Sequence, residues 1–182
     1  MNGPPITSLG DLLLPNAVVP RARWKGRKQV LSEMSGVMAQ ALGLKQRDVH
    51  EAVLERERLG STGVGEGVAI PHARIETLSR PVGGFVRLQE AVDFEAIDER
   101  PADLVFMLLA PTDAGADHLR ALARAARVFR QERIRAALRQ AQTEFDDAAR
   151  NALYQQALDL IAADSPWIVS AYGKVAWLQK PY

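Results

Sequence analysis

From Arg27 to Leu42 the apolar residues Val30, Leu31, Met34, Val37, Met38, Ala41 and Leu42 recur at steps of three and four, which places them on one face of an amphipathic helix closed by Gly43. A second helix is expected over Gln46 to Arg58, with Val49, Val53 and Leu54 inward and Gly60 beyond its end. The pattern then changes. Val82 to Leu88 and Leu104 to Leu109 are short apolar runs, β-branched or aromatic in part and bounded by Pro and Gly, so both predict strands, and Ala91 to Phe94 predicts a short edge piece. After Pro111, the residues Leu119, Leu122, Ala126 and Phe129 trace a helical face that continues, with a break near Glu132, to Ala141. Residues 1–24, with Pro4, Pro5, Pro15 and Pro20 around a short apolar patch, read as an irregular lead-in. Helices on both sides of a small sheet define an α/β layer architecture.

Composition narrows the function more by exclusion than by suggestion. A chain of 182 residues with 47% hydrophobic residues fits one domain of ordinary size with room for an appendage. Its net charge of +1 provides no global field that would gather nucleic acid or an anionic membrane. Cysteine is absent, which excludes disulfides, thiol nucleophiles and Cys-zinc sites and fits a reducing compartment. Leu12-Leu13-Leu14 is cut short by Pro15 and no basic segment precedes it, and the run Leu104 to Ala110 is far too short to cross a bilayer. A cytoplasmic location without membrane insertion is the expectation.

The chemistry is concentrated in one segment. Gly60-Ser61-Thr62-Gly63-Val64-Gly65-Glu66-Gly67 leads into the apolar Val68-Ala69-Ile70, and Pro71 then delivers His72. Glycines permit close backbone approach to a ligand and Pro71 stiffens the entry, so His72 is the leading candidate for chemistry. A neutral imidazole is a good nucleophile at physiological pH when its other ring nitrogen is held as an N–H. The glycines lack a following Lys-Ser/Thr and do not form a dinucleotide fingerprint, so a nucleotide donor is not indicated. Three scattered histidines without cysteine do not suggest zinc, and His50, with no motif around it, reads as a surface residue.

The segment resembles the active-site signature of phosphotransferase-system enzyme IIA domains of the mannitol, fructose and nitrogen-regulatory type, through Ile70-Pro71-His72 and a Gly-Ser-Thr-Gly start most similar to the nitrogen-regulatory branch. The resemblance covers residues 7–141 and implies a small mixed sheet flanked by helices, with His72 carrying a phosphoryl group taken from an HPr-like phosphocarrier protein and no cofactor. Arg56 matches an arginine near the family's active site, where a guanidinium can pair with phosphate oxygens. His118, in Asp117-His118-Leu119, matches the family's second active-site histidine and is expected at a helix start beside a capping Asp117. Glu66 matches an acidic position of the mannitol branch, with a role in orienting a neighbour or tuning transfer.

Three functions are compatible with that resemblance: a regulatory phosphocarrier whose two forms bind different targets, a transport subunit passing phosphate to a IIB partner, and a binding module that has lost transfer. The basic stripe Arg120, Arg124 and Arg127, with Arg130, Arg133, Arg135 and Arg139 nearby, reads as a solvated face, or else as a protein-docking surface. Past residue 142 the composition shifts, since all three tyrosines and two of the three tryptophans lie there. Asp146 to Ala163 predicts a further helix, and the stretch through Lys174 is similar to the C-terminal end of extracytoplasmic peptide-binding proteins. Residues 142–182 are therefore expected to form an extension to the 7–141 domain.

Overall fold

The computed structural model describes residues 9–143, so the expected helix over Asp146 to Ala163 and the aromatic extension lie outside the described residues. The chain runs β1 (Leu13–Ala22), α1 (Arg27–Leu42), α2 (Gln46–Arg58), β2 (Gly63–Gly65), β3 (Val68–Ala69), β4 (His72–Arg74), β5 (Val82–Val92), β6 (Ala102–Ala110), α3 (Gly115–Arg130) and α4 (Glu132–Thr143). Both strand predictions hold, with the Ala91 to Phe94 piece partly absorbed into β5. The helix break near Glu132 is real, because Gln131 leaves the helical conformation between α3 and α4.

The strands form one mixed sheet in the order β1-β5-β6-β3-β2, with β4 also on β6. Strands β5 and β6 lie antiparallel at its centre, whereas β1 runs parallel to β5, and β3 and β4 run parallel to β6. Helices cover both faces of the central pair, which explains why β6 reads as a nearly continuous apolar run. Its alternate residues serve different cores: Val105, Met107 and Leu109 pack with Met34, Met38 and Val53 of α1 and α2, while Leu104, Phe106 and Leu108 pack with Ala125, Phe129 and Ile134 of α3 and α4. Truncating the fully buried Phe106 to Ala would cost about 3–5 kcal/mol by the usual sum of transfer and cavity effects.

Gly83 and Gly84 of β5 are set by that two-sided packing. A Cβ at Gly83 would stand 2.3 Å from the Phe106 ring, and one at Gly84 would stand 2.5 Å from the Met38 sulfur. Neither position admits a side chain without moving a core residue.

The lead-in expectation is overturned by β1. Leu13–Ala22 is an edge strand, and edges tolerate proline because one row of N–H groups needs no partner. The register slips between Leu13 and Val18, where Pro15 falls, and again between Val19 and Ala22, where Pro20 falls. The prolines that hid the strand from a propensity reading are accommodated as irregularities in it.

Candidate active site

His72 sits where one strand is interrupted. Val68 pairs with Leu104 and His72 with Leu108, so β3 and β4 keep a single register along β6 across Ile70-Pro71. The ladder survives the proline because the Pro71 carbonyl still accepts from the Leu108 N–H at 2.9 Å. Strand alternation puts His72 on the side of Val68 and Ile70, the face covered by α3 and α4. His118 comes from the first turn of α3 on that face, and the two imidazole centroids are 5.5 Å apart with the rings inclined at 60°.

The tautomer of His72 follows from its partners. Arg56, near the end of α2, donates its Nε–H to His72 Nε2 at 2.9 Å, and an arginine cannot accept in return. Nε2 is therefore the bare nitrogen, and Nδ1 carries the proton that it donates to the Ile70 carbonyl at 2.9 Å. The same guanidinium is steadied by donating to the Gly60 carbonyl at 3.1 Å. Burial lowers the His72 pKa and the nearby Arg56 charge lowers it further, against the opposing hydrogen bond to Ile70. The imidazole is neutral at physiological pH.

His118 is only 7% exposed, yet neither of its ring nitrogens has a hydrogen-bond partner within the described residues. Burial again lowers its pKa, with His72, Arg74 and Arg56 acting in the same sense. A buried imidazole left with two unsatisfied nitrogens costs on the order of 1–3 kcal/mol, a cost that structures retain at functional positions. Asp117 does not cap the helix; the cap position is Ala114, and Asp117 pairs with Arg120 in the first turn.

The glycine segment makes a hairpin away from the histidines. Gly63–Gly65 and Val68–Ala69 form an antiparallel hairpin whose turn is Gly65-Glu66-Gly67, all three at positive φ. Two of its amides are engaged, Gly63 N–H donating to Ser61 Oγ and Glu66 N–H to Asp98. The turn lies at the level of Asp103 and Leu104 on β6, whereas His72 lies at Leu108, about 13 Å further along the strand.

The structure thus brings His72, His118 and Arg56 together and leaves Glu66 out. Glu66 pairs instead with Arg100 at 2.8 Å and with Arg135 at 3.5 Å, while Arg139 donates to its carbonyl. This also corrects the reading of the basic stripe. Arg120, Arg127, Arg130 and Arg133 are exposed, but Arg135 is buried against Glu132 and the backbone of Phe129, and Arg139 clasps Asp103 at 3.0 Å. His50 is likewise half-buried, with Nε2 enclosed. Sequence reasoning passed over Glu57, which stands in the charged run Glu55-Arg56-Glu57-Arg58 and has its side chain only 8% exposed.

A sheet of this order with paired histidines at its open edge defines a class, and the comparisons agree with it. The chain matches the family described as "Phosphoenolpyruvate-dependent sugar phosphotransferase system, EIIA 2" over residues 11–151. A protein of Bradyrhizobium diazoefficiens named Nitrogen regulatory protein is 48% identical over 135 residues, 74% of this chain and 86% of its own length. The crystal structure of the nitrogen regulatory protein IIA-Ntr from Neisseria meningitidis superposes with a TM-score of 0.69 at 35% identity, covering 80% of this chain and 98% of that one. IIA mannitol from Escherichia coli shares the fold, with a TM-score of 0.61 at 17% identity over 80% of this chain and 96% of its own. The chain belongs to the EIIA family of phosphoenolpyruvate-dependent phosphotransferase systems. Within it, the chain resembles both the proteins named Nitrogen regulatory protein and the fructose-specific EIIABC component of Bacillus subtilis, which is 38% identical over 135 residues, 74% of this chain and 21% of its own length. No helix among the described residues is long and apolar enough to cross a membrane.

Proposed function

We propose that this protein is a regulatory phosphocarrier that accepts a phosphoryl group on Nε2 of His72 from the phosphohistidine of an HPr-like protein. The observation that carries the reading is the bare Nε2, fixed by an arginine donor on one side and by a carbonyl acceptor for Nδ1–H on the other. In the step, the Nε2 lone pair forms a bond to phosphorus as the donor's P–N bond breaks, and that electron pair returns to the donor imidazole. The proton stays on Nδ1, donated to the Ile70 carbonyl. Arg56 must release Nε2 for attack, and its guanidinium then lies beside the incoming phosphoryl oxygens, which it can pair with bidentately. His118, with both nitrogens uncommitted, supplies a donor to the same oxygens.

The transfer passes through a loose transition state, so alignment and charge complementation are what the site has to provide. A phosphoryl group adds a charge of about −2 beside two neutral imidazoles and the Arg56 guanidinium, which is enough to change which protein surface fits there. That difference between the two forms is the regulatory output. Intact mass after incubation with a phosphorylated HPr-like carrier tests the reading: gain of one phosphoryl group is expected, and no gain overturns it.

The phosphocarrier unit is taken as residues 7–141, a span that includes the sheet, both cores and the histidine pair. A chain ending at Thr143 is expected to fold and take up phosphate. Since the family match runs to residue 151, loss of uptake on that truncation would move the boundary to 151.

A further inference from the structure

Glu57 and His72 are joined by a circuit of hydrogen bonds and backbone links. The Glu57 carboxylate accepts from the Thr62 hydroxyl at 2.7 Å and more weakly from the Thr62 N–H at 3.4 Å. Thr62, itself 5% exposed, offers its carbonyl to the Ile70 N–H at 2.9 Å. The Ile70 carbonyl takes the Nδ1–H of His72, and Arg56, the neighbour of Glu57 on α2, closes the circuit at Nε2.

Proline makes the Thr62 link matter. The Ile70–Pro71 peptide has no N–H, so the carbonyl that fixes the imidazole has no anchor within its own peptide unit and is held by its flanks. One flank is the Pro71 carbonyl on β6 and the other is Ile70 N–H on Thr62. Glu57 is in turn steadied by Arg27, the first residue of α1, at 3.7 Å, and Arg27 bonds Glu95 at 2.8 Å. A carboxylate this enclosed needs such partners, and they leave one oxygen directed at Thr62.

We propose that Glu57 is a positioning residue for phosphoryl transfer, holding through Thr62 the Ile70 carbonyl that keeps His72 Nδ1 protonated and the ring aligned. This rests on His72 as the acceptor. It assigns the Glu-Arg pair of α2 two complementary tasks, Arg56 acting at Nε2 and Glu57 acting on the opposite nitrogen through the backbone.

The test reads the hydrogen bond itself in the unphosphorylated protein. Solvent exchange of the His72 Nδ1 proton, followed by NMR in the full chain, is expected to quicken about tenfold in Glu57→Ala, as for weakening of one hydrogen bond, while backbone amides of α3 exchange as before. Glu57→Gln keeps an oxygen for the Thr62 hydroxyl and should restore slow exchange. Thr62→Val, which preserves shape and removes the hydroxyl, should reproduce the Ala result even where Glu57→Ala does not fold. Unchanged Nδ1 exchange in the Ala or Val variant overturns the proposal, as does faster exchange matched across α3 or a Gln variant that fails to restore it. Phosphorylation of Glu57→Ala by the HPr-like donor should also slow about tenfold. A wild-type protein that takes no phosphate defeats the acceptor reading instead, and the exchange result still decides the role of Glu57.

Discussion

The two ends of the β3–β4 line along β6 hold polar groups in opposite ways. At the hairpin end, charges meet charges: Glu66 with Arg100 and Arg135, and Asp103 with Arg139 and with Arg87 at 2.8 Å. At the histidine end, two neutral imidazoles lie side by side, His118 has no partner for either nitrogen among the described residues, and Arg56 faces a neutral lone pair where an arginine ordinarily finds a carboxylate. The first arrangement satisfies itself and fixes a turn to α4. The second is incomplete, and what would complete it is a small anion carrying several acceptor oxygens. Hence the same strand carries a self-satisfied end and an end with unsatisfied polar groups, the one proposed to react.

The largest expected effect comes from removing the proposed nucleophile. His72→Ala should abolish phosphoryl uptake while leaving the melting temperature near that of the parent, since the side chain is only half-buried. Acid-labile phosphate on the mutant would contradict the assignment.

His118 separates activity from stability. His118→Leu should slow uptake about a hundredfold, the loss typical of one transition-state hydrogen-bond donor. It should also raise the melting temperature by a few degrees, because two unsatisfied buried nitrogens are replaced by an apolar side chain. A variant that transfers normally, or that melts lower, would place His118 among ordinary core residues.

Acid sharpens the comparison in a graded way. Both histidines have folded pKa values below the ordinary 6.5, with burial as the first cause in each. Below 6.5 the unfolded chain therefore binds protons that the folded one does not, and stability falls as pH drops from there toward the lowered values. Uptake, conversely, should hold steady as pH falls through 6.5, because His72 Nε2 stays bare. Denaturant melts of the parent and of His72→Ala/His118→Leu across this range give the check: the double variant should lose much of the acid sensitivity.

The smallest effect belongs to the self-satisfied end. Glu66→Gln should leave uptake unchanged and cost under about 1 kcal/mol, as for exposed ion pairs, by comparison of single-turnover rates and melts. A slowed transfer would mean that the hairpin turn reaches the histidines.

Much of this division was legible in the sequence, and the exceptions have physical reasons. The apolar runs of β5 and β6 and the periodic faces of α1, α2 and α3 mark the layers because central strands and packed helices leave little freedom in composition. β1 stayed hidden because an edge strand can carry Pro15 and Pro20, which a central strand cannot. Ile70-Pro71-His72 pointed to the histidine that the structure sets beside His118 and Arg56, while the glycines before it suggested close backbone approach to a ligand where the chain makes a hairpin; glycine permits positive φ for either purpose. Glu57 gave no sign, since a buried carboxylate and a solvated one look alike in a helical charge run. Arg135 and Arg139 escaped for the same reason.

The central claim concerns one nitrogen. Phosphorylating protein labelled with nitrogen-15 in its histidines and recording the ring nitrogen and phosphorus spectra reports which atom bears the phosphoryl group. Phosphorus bonded to His72 Nε2, with the proton retained on Nδ1, is the predicted result. Phosphorus on Nδ1 of His72, on His118, or on no histidine would contradict the account.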